Sequence, residues 1–322
     1  MVGDFFGSAR QTVVRVIPSI GPSEVFTIPT PTESVAGRVK QAESYQPLPT
    51  DRYFLDYAAY KNVPLAPAVG TVFNDIDVQR FTPGLERTFL DGAMSVEIRM
   101  PVARTLNSTI SFDESIDADH WEPGNLNVAV KSLLIETNQF ALVSGLGIRT
   151  PTADDLVFHT NGTTFVVENE SVHLLPYFGL VVNPNGTFFG QALVQVDVDT
   201  NGNTVLVDDV SQGQIQDQTF LFSSFSLGAW LYDDPYAESL SSVALTTEFH
   251  HSSTVSDVDV LNSPNIETVE TAADNDFDSF TAVIGMHLLY AGGAQVTFAY
   301  GVPIGHDRFA DGEFRTLLSR NY

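Results

Sequence analysis

From Asp51 to the end of the chain, apolar and polar residues alternate in runs that turn residues interrupt. Met94, Val96, Ile98 and Met100 alternate with Ser95, Glu97 and Arg99, and a strand sends two such sets to opposite faces. Leu126, Val128 and Val130 alternate likewise with Asn127, Ala129 and Lys131, as do Val194, Val196 and Val198 with Gln195, Asp197 and Asp199. Val243, Leu245 and Phe249 oppose Ser242, Thr246, Glu248 and His250; the runs Phe280–Tyr290 and Ala294–Val302 repeat the pattern. The spacing predicts strands near 51–60, 78–90, 93–102, 125–136, 139–149, 171–182, 187–198, 218–231, 239–250, 278–290, 294–303 and 313–322. Most run roughly 9–12 residues, the length of a tilted membrane-crossing strand. Strands of soluble sandwiches average about 5–6.

Connections add a second signal. Tight turns are expected at Asp91-Gly92, Thr137-Asn138, Asn183–Gly186, Asp233–Ala237 and Ala291–Gly293. Between them lie the connections 61–77, 103–124, 150–170, 199–217 and 251–277, with a shorter one at 304–312. Short and long connections therefore alternate, as in outer-membrane barrels with short periplasmic turns and longer external loops. No apolar run approaches the ~20 residues of a transmembrane helix; the longest, Leu174–Val182, holds Pro176 and Gly179. A membrane reading must then be a barrel reading, because lipid admits only helices and closed barrels. The expected fold is all-β: a transmembrane antiparallel β-barrel of about twelve strands over 51–322, preceded by an irregular segment, 1–50, rich in Pro, Ser and Thr. Pro83-Gly84 and Pro176 are expected to mark bulges or bends.

Composition narrows the function classes. The absence of cysteine removes disulfides, thiolate metal sites and Cys nucleophiles. A net charge of −25 argues against nucleic acid and fits acidic surfaces that hold divalent cations. The opening Met1–Ser8 shows neither a basic nor an apolar signal-peptide region, so an exported protein would be a mature chain or one with a misplaced start.

Four segments carry a resemblance: Leu48–Phe54 with Asn62-Val63-Pro64, Arg80–Gly92, Gly145–Asp155 and Glu170–Tyr177. Together they resemble a family of planctomycete-type outer-membrane β-barrel proteins. More distantly the chain is similar to porin-like proteins of aromatic-degradation pathways. The resemblance implies the fold and a bacterial outer-membrane location, and it implies no particular substrate. Phe314, Leu318 and Tyr322 match the C-terminal signal read by barrel-assembly machinery, while Thr316 and Arg320 stand where that signal prefers apolar residues.

With the apolar faces toward lipid, Arg80, Glu86, Glu97, Arg99, Lys131, Arg149, Gln191, Gln195, Glu248, His250, His287 and Arg315 point inward. Arg87 breaks the rule and must either snorkel to the interface or turn inward on a bulge. Glu86, Glu97 and Arg99 should cluster on one interior wall. They are either an ionic network that fills a narrow lumen or a charged constriction that selects solutes. Twelve strands lie between filled eight-stranded barrels and open sixteen-stranded porins, so any channel should be small.

Other constellations are weaker. Asp197, Asp199, Asn201 and Asp208 fall at positions 1, 3, 5 and 12 of a calcium loop, with Gly202 at the sharp turn. A strand end running into an Asn-Gly turn explains the same residues. Acids collect in two long connections: Asp113, Glu114, Asp117, Asp119 and Glu122 in one, and Asp257, Asp259, Glu267, Glu270, Asp274 and Asp276 in the other. They form a solvated rim or bridge to lipopolysaccharide through divalent cations. His250 and His251 should face opposite ways and share no metal. No Ser/His/acid motif or phosphate loop is recognisable, so no enzyme is expected. The leading reading is a narrow porin-like channel or transporter for small solutes. The alternative is a structural or surface-interaction barrel with a blocked lumen and acidic cation-binding loops. A soluble two-sheet protein also alternates, but it does not need long strands or the short–long loop rhythm.

Overall fold

The computed structural model describes residues 1–3, 10–15, 24–29, 36–66, 68–69, 74–111, 117, 119–160, 162–257, 259–263, 266–270, 277–305 and 307–322. Twelve strands form the barrel: β1 (Arg52–Ala66), β2 (Asn74–Phe89), β3 (Met94–Arg99, resuming at Val102–Thr105), β4 (His120–Pro123, resuming at Leu126–Glu136), β5 (Phe140–Thr150) and β6 (His173–Val182). β7 (Phe188–Asp199), β8 (Phe220–Asp233), β9 (Leu240–Thr254), β10 (Asp278–Tyr290), β11 (Ala294–Ile304) and β12 (Gly312–Asn321) complete it. Each pairs antiparallel with its sequence neighbours, and β12 closes on β1 with Arg315 opposite Ala58 and Leu318 opposite Leu55. Closure leaves no edge in the ring, which is the condition for burying strands in lipid.

Alternation decides what faces where. In β3, β4 and β9, Glu97, Lys131 and Glu248 are buried, while Ile98, Val130, Leu245 and Phe249 are exposed. Phe178, Leu227, Ile284 and Tyr300 are each more than half exposed, and they belong to a continuous apolar outer belt. A water-soluble surface rarely carries such a belt. Exposed Phe89, Phe140, Phe188, Tyr232 and Tyr322 ring the short-turn rim, where a membrane barrel places its aromatic girdle. Among the described residues no helix is long and apolar enough to cross a membrane.

The turn Leu90-Asp91-Gly92 has three consecutive positive φ angles, 52°, 56° and 84°, a conformation that Asp and Gly tolerate. Gly145 has a different purpose. The ring of Tyr177 on the next strand lies over it inside the barrel, where any Cβ would collide.

Three expectations need correction. Pro83 and Pro176 mark no bulge: the register runs through both unshifted, because proline removes a donor without adding a residue. Pro101 instead interrupts β3, and register shifts in the barrel wall fall near both rims, at Leu133/Ile135, Trp230/Tyr232 and Leu240/Ser242 by the short turns and at Tyr60/Val63 and Val63/Ala66 toward the long connections. Second, the long connections are not bare loops. Thr109–Ser111, Leu156–Thr160, Thr163–Val167, Asn203–Val207 and Val210–Ile215 form a five-stranded sheet on a core that includes Ile110, Phe158, Phe165 and Val205. Third, residues 1–50 are not wholly irregular. Arg10–Arg15 pairs with Glu24–Pro29 and with Ile266–Glu270, and Glu24–Pro29 pairs with Ala68-Val69, which fastens this hairpin to two long connections.

The lipid-facing belt makes a direct prediction. Leu227→Arg places a guanidinium near the middle of an outer face and should lower stability in phospholipid vesicles by about 2–4 kcal/mol. Tyr236→Arg, in an exposed short turn, should leave the urea unfolding curve unchanged.

Candidate functional site

The interior is occupied by the chain's own N-terminal segment. Arg38, Lys40, Gln41, Glu43 and Ser44 are all buried, although they belong to no barrel strand. Their partners come from around the circumference. Gln41 N–H donates to Gln195 on β7 at 2.8 Å, Lys40 Nζ reaches Ser252 on β9 at 3.4 Å, and Ser44 Oγ reaches Asp56 on β1 at 2.9 Å. Arg99 on β3 donates to the Glu43 carbonyl at 2.9 Å and Arg80 on β2 to the Arg38 carbonyl at 3.0 Å. A segment held from so many sides runs through the middle of the lumen. Glu43 N–H donates to the Lys40 carbonyl at 3.1 Å, which folds 40–43 into a turn that widens the filling.

The wall charges fall into groups stacked along this segment. Near the short turns, Glu86 accepts from Arg52 at 2.9 Å, Lys131 at 2.8 Å and Ser95 at 2.6 Å. Glu97 accepts from Arg52 at 2.8 Å and from Arg99. Midway, Glu43 receives Arg80 and, at 3.0 Å, Arg315, which also reaches Asp56 at 3.2 Å and Glu313 at 3.4 Å. Toward the long connections, Asp197 holds Arg149 at 2.9 Å, Arg38 at 3.3 Å and His173 at 2.6 Å, while Arg38 also meets Asp217 at 2.8 Å. On the β9 side, Glu248 accepts from Val2 N–H at 2.9 Å and from His250 at 3.1 Å.

The twelve wall residues read from alternation line the interior: Arg80, Glu86, Glu97, Arg99, Lys131, Arg149, Gln195, Glu248, His250 and Arg315 are buried, and His287 is half-buried against Thr297 at 2.9 Å. Gln191 is half-buried on the same face. Glu86, Glu97 and Arg99 do share one wall. His250 and His251 part to opposite faces, and His251 meets Asp278 outside. Arg87 keeps unshifted register with Val96 and stays 65% exposed, so it points outward without a bulge. Phe314, Leu318 and Tyr322 sit exposed on the outer face of the closing strand.

Sequence reading missed Arg52, Asp56 and Glu313, although the same alternation along β1 and β12 places them inward. Arg38, Lys40 and Glu43 had no period to betray them. Imbalance was the available signal, since the wall residues chosen carry more cations than acids.

The calcium-loop residues are engaged separately. Asp197 is held by the cations named above; Asp199 accepts from Asn201 N–H at 3.1 Å, Gly202 N–H at 2.9 Å and Asp217 N–H at 2.9 Å. Asn201 accepts from Val172 N–H and Asp208 from Thr164 N–H. Asp208 lies in the turn beyond the strand Asn203–Val207, roughly 15 Å along the chain at about 3.3 Å per residue. Calcium ligands must all lie within about 2.6 Å of one point, so the spacing does not translate into one cage. Among the described residues no group of three His, Cys, Asp or Glu side chains is placed to hold a metal.

Of the acidic rim, Asp119 pairs with Arg104, Asp117 lies 3.5 Å from His120, Glu122 accepts from Ser108 N–H and Asp259 from Gln216 N–H. Asp113, Glu114, Asp274 and Asp276 lie outside the described residues. Inside, Ser224, His250 and Glu248 form a buried hydrogen-bonded line, but N–H groups of Val2 and Gly3 already occupy the carboxylate. That line packs the segment against β8 and β9.

No family model matches the chain, and no curated protein matches it. Solved structures do. An outer membrane channel of Pseudomonas putida F1 is similar with a TM-score of 0.56 at 11% identity, covering 88% of this chain and 100% of that one. The β domain of the Bordetella autotransporter BrkA reaches 0.52 at 10% identity, covering 85% and 99%. The fold is that of outer-membrane β-barrels.

Breaking one buried group should be expensive. Glu86→Gln leaves Lys131 in the lumen without its anion and Arg52 with Glu97 alone, and should cost about 3–5 kcal/mol of stability, read as a lower urea midpoint in vesicles.

Proposed function

We propose that this chain is a porin-like barrel of the bacterial outer membrane, passing small solutes through a lumen that its own N-terminal segment closes in the conformation described here. The observation that carries this reading is the chemistry of the closure. Ion pairs and hydrogen bonds dominate the contacts between segment 38–44 and the wall, and water can replace both when the segment shifts. A permanently filled barrel gains more from apolar packing, since buried ion pairs contribute little net stability against hydrophobic equivalents. The acidic connections fit a rim that concentrates cations or bridges to lipopolysaccharide. Phe314, Leu318 and Tyr322 fit the signal for barrel assembly. The segments around Arg80–Gly92 resemble the planctomycete-type barrel family, in keeping with this assignment. A second reading, a structural barrel with a sealed lumen, draws on the density of pairs around Glu43.

Conductance in planar bilayers separates the two. The Glu43 carboxylate holds Arg80 and Arg315, and protonating it in acid removes both ion pairs. The whole chain should therefore show rare openings at neutral pH that become frequent in acid. Glu43→Gln should open often at pH 7 and lose the acid response. Silence of both proteins across salts, voltages and pH would establish the sealed barrel instead.

Orientation is tested independently, because the chain has no cysteine. A membrane-impermeant maleimide on intact cells should label Val210→Cys, on the long-loop side, and spare Tyr236→Cys in a short turn. The reverse pattern would invert the assignment.

A further inference from the structure

Arg87 and Arg320 are outward-facing basic residues that the lumen does not use. More than half of the chain's 15 basic residues are buried inside, from Arg38 to Arg315. Of the described exposed ones near the long connections, Arg104 pairs with Asp119 and Arg308 with Asp311 at 3.0 Å. Arg87 and Arg320 instead lie together at the short-turn rim, on β2 and β12, on either side of β1. Arg320 stands opposite Tyr53, and Tyr53 opposite Leu85, two residues from Arg87. Tyr53 and Tyr322 stack at 5.9 Å between them, and the Arg87 guanidinium sits 5.6 Å from the Tyr322 ring centre.

Asp51 lies 3.6 Å from Arg87, beyond hydrogen-bond reach, and its other oxygen accepts from Thr88 N–H and Oγ1. Asp91 belongs to the adjoining turn. Among the described residues Arg320 has no ion pair. Toward the middle of the membrane the same three strands expose Leu55, Leu85 and Leu318. An apolar strip that ends in two guanidinium groups and two phenol rings has the shape of a phospholipid: chains along the leucines, phosphate between the arginines.

We propose that this surface is a seat for an anionic phospholipid in the leaflet at the short-turn rim. Guanidinium forks match phosphate oxygens, and the net negative headgroup supplies the counter-ion that Arg320 lacks among the described residues. A zwitterionic headgroup brings its own cation and gains less. The proposal does not depend on whether the lumen opens.

The purified whole chain, in mixed micelles at low salt, would be titrated with dioleoyl phosphatidylglycerol or dioleoyl phosphatidylcholine, and bound lipid counted by native mass spectrometry. Phosphatidylglycerol should bind tighter by on the order of 30-fold, about fivefold for each arginine near an anionic headgroup. Arg87→Gln and Arg320→Gln should each lose about fivefold, and the double variant should lose the preference. Lys61→Gln, exposed near the opposite rim, should keep it. Both arginines are exposed, and heat-modifiable gel migration verifies that each variant is folded. Equal binding of the two lipids to the unaltered chain, or a preference that survives in the double variant, would overturn the proposal. So would full displacement of the lipid by millimolar inorganic phosphate, since that reduces the seat to an anion site without a role for the leucines.

Discussion

Closure of the hydrogen-bonded ring is the constraint on which everything else rests. An unpaired strand edge facing hydrocarbon leaves backbone groups unsatisfied at several kcal/mol each, so β12 must find β1. Once closed, the period of two leaves each barrel residue a choice between lipid and lumen. Leucine, valine and phenylalanine take the outside, and the interior inherits the polar set by exclusion. The charged lumen is thus a consequence of where the apolar residues had to go, before it is a device for any function.

That inheritance creates its own problem. Arginines and carboxylates confined within a twelve-stranded ring need partners or water, and an isolated buried charge is untenable. Segment 36–46 meets the need with carbonyls and side chains of both signs. The backbone carbonyls of Lys40 and Glu43 receive Arg99, the Gln46 carbonyl receives Lys131 at 2.6 Å, and the Glu43 carboxylate receives Arg80 and Arg315. A non-helical segment with a turn at 40–43 suits this better than a helix, because most of its carbonyls are left to accept from the wall. Wall and filling are complementary, and neither is satisfied alone.

How much of this was legible in the sequence follows from the same physics. Strand positions and facing were readable because lipid enforces strict alternation; Met94 to Met100 announces its own faces. The short turns were readable because positive φ demands residues such as Asp91 and Gly92. The filling was not. Arg38 and Glu43 obey no period, since a segment surrounded by wall on all sides has no inner and outer face. The sheet around Phe158 and Phe165 also escaped notice, because its strands are short and sit within connections that length alone marked as loops. The spacing at Asp197 to Asp208 had two readings, a calcium loop and a strand end running into an Asn-Gly turn, and the local geometry is that of the turn. Spacing matters for a cage only if the chain curls, and here it runs straight into another strand.

The path of the N-terminal region constrains assembly as well. The hairpin at 10–29 is fastened to the connections at 68–69 and 266–270, on the long-loop side, while β1 begins at the opposite rim with Arg52. Segment 36–50 therefore spans the lumen from one rim to the other before the first barrel strand starts. A ring already closed around Glu43, Arg80 and Arg315 has no room to pass a paired hairpin. Either the hairpin crosses unpaired and pairs afterwards, or the wall closes around a segment already in place. The second order has the better energetics. Arg80 and Arg315 come from strands on either side of β1, and the β12–β1 pairing that seals the ring is also what brings Arg315 to Glu43. The last backbone seam and the central ion pairs then form in one step, and charges that could not be left alone in a dry interior never have to be.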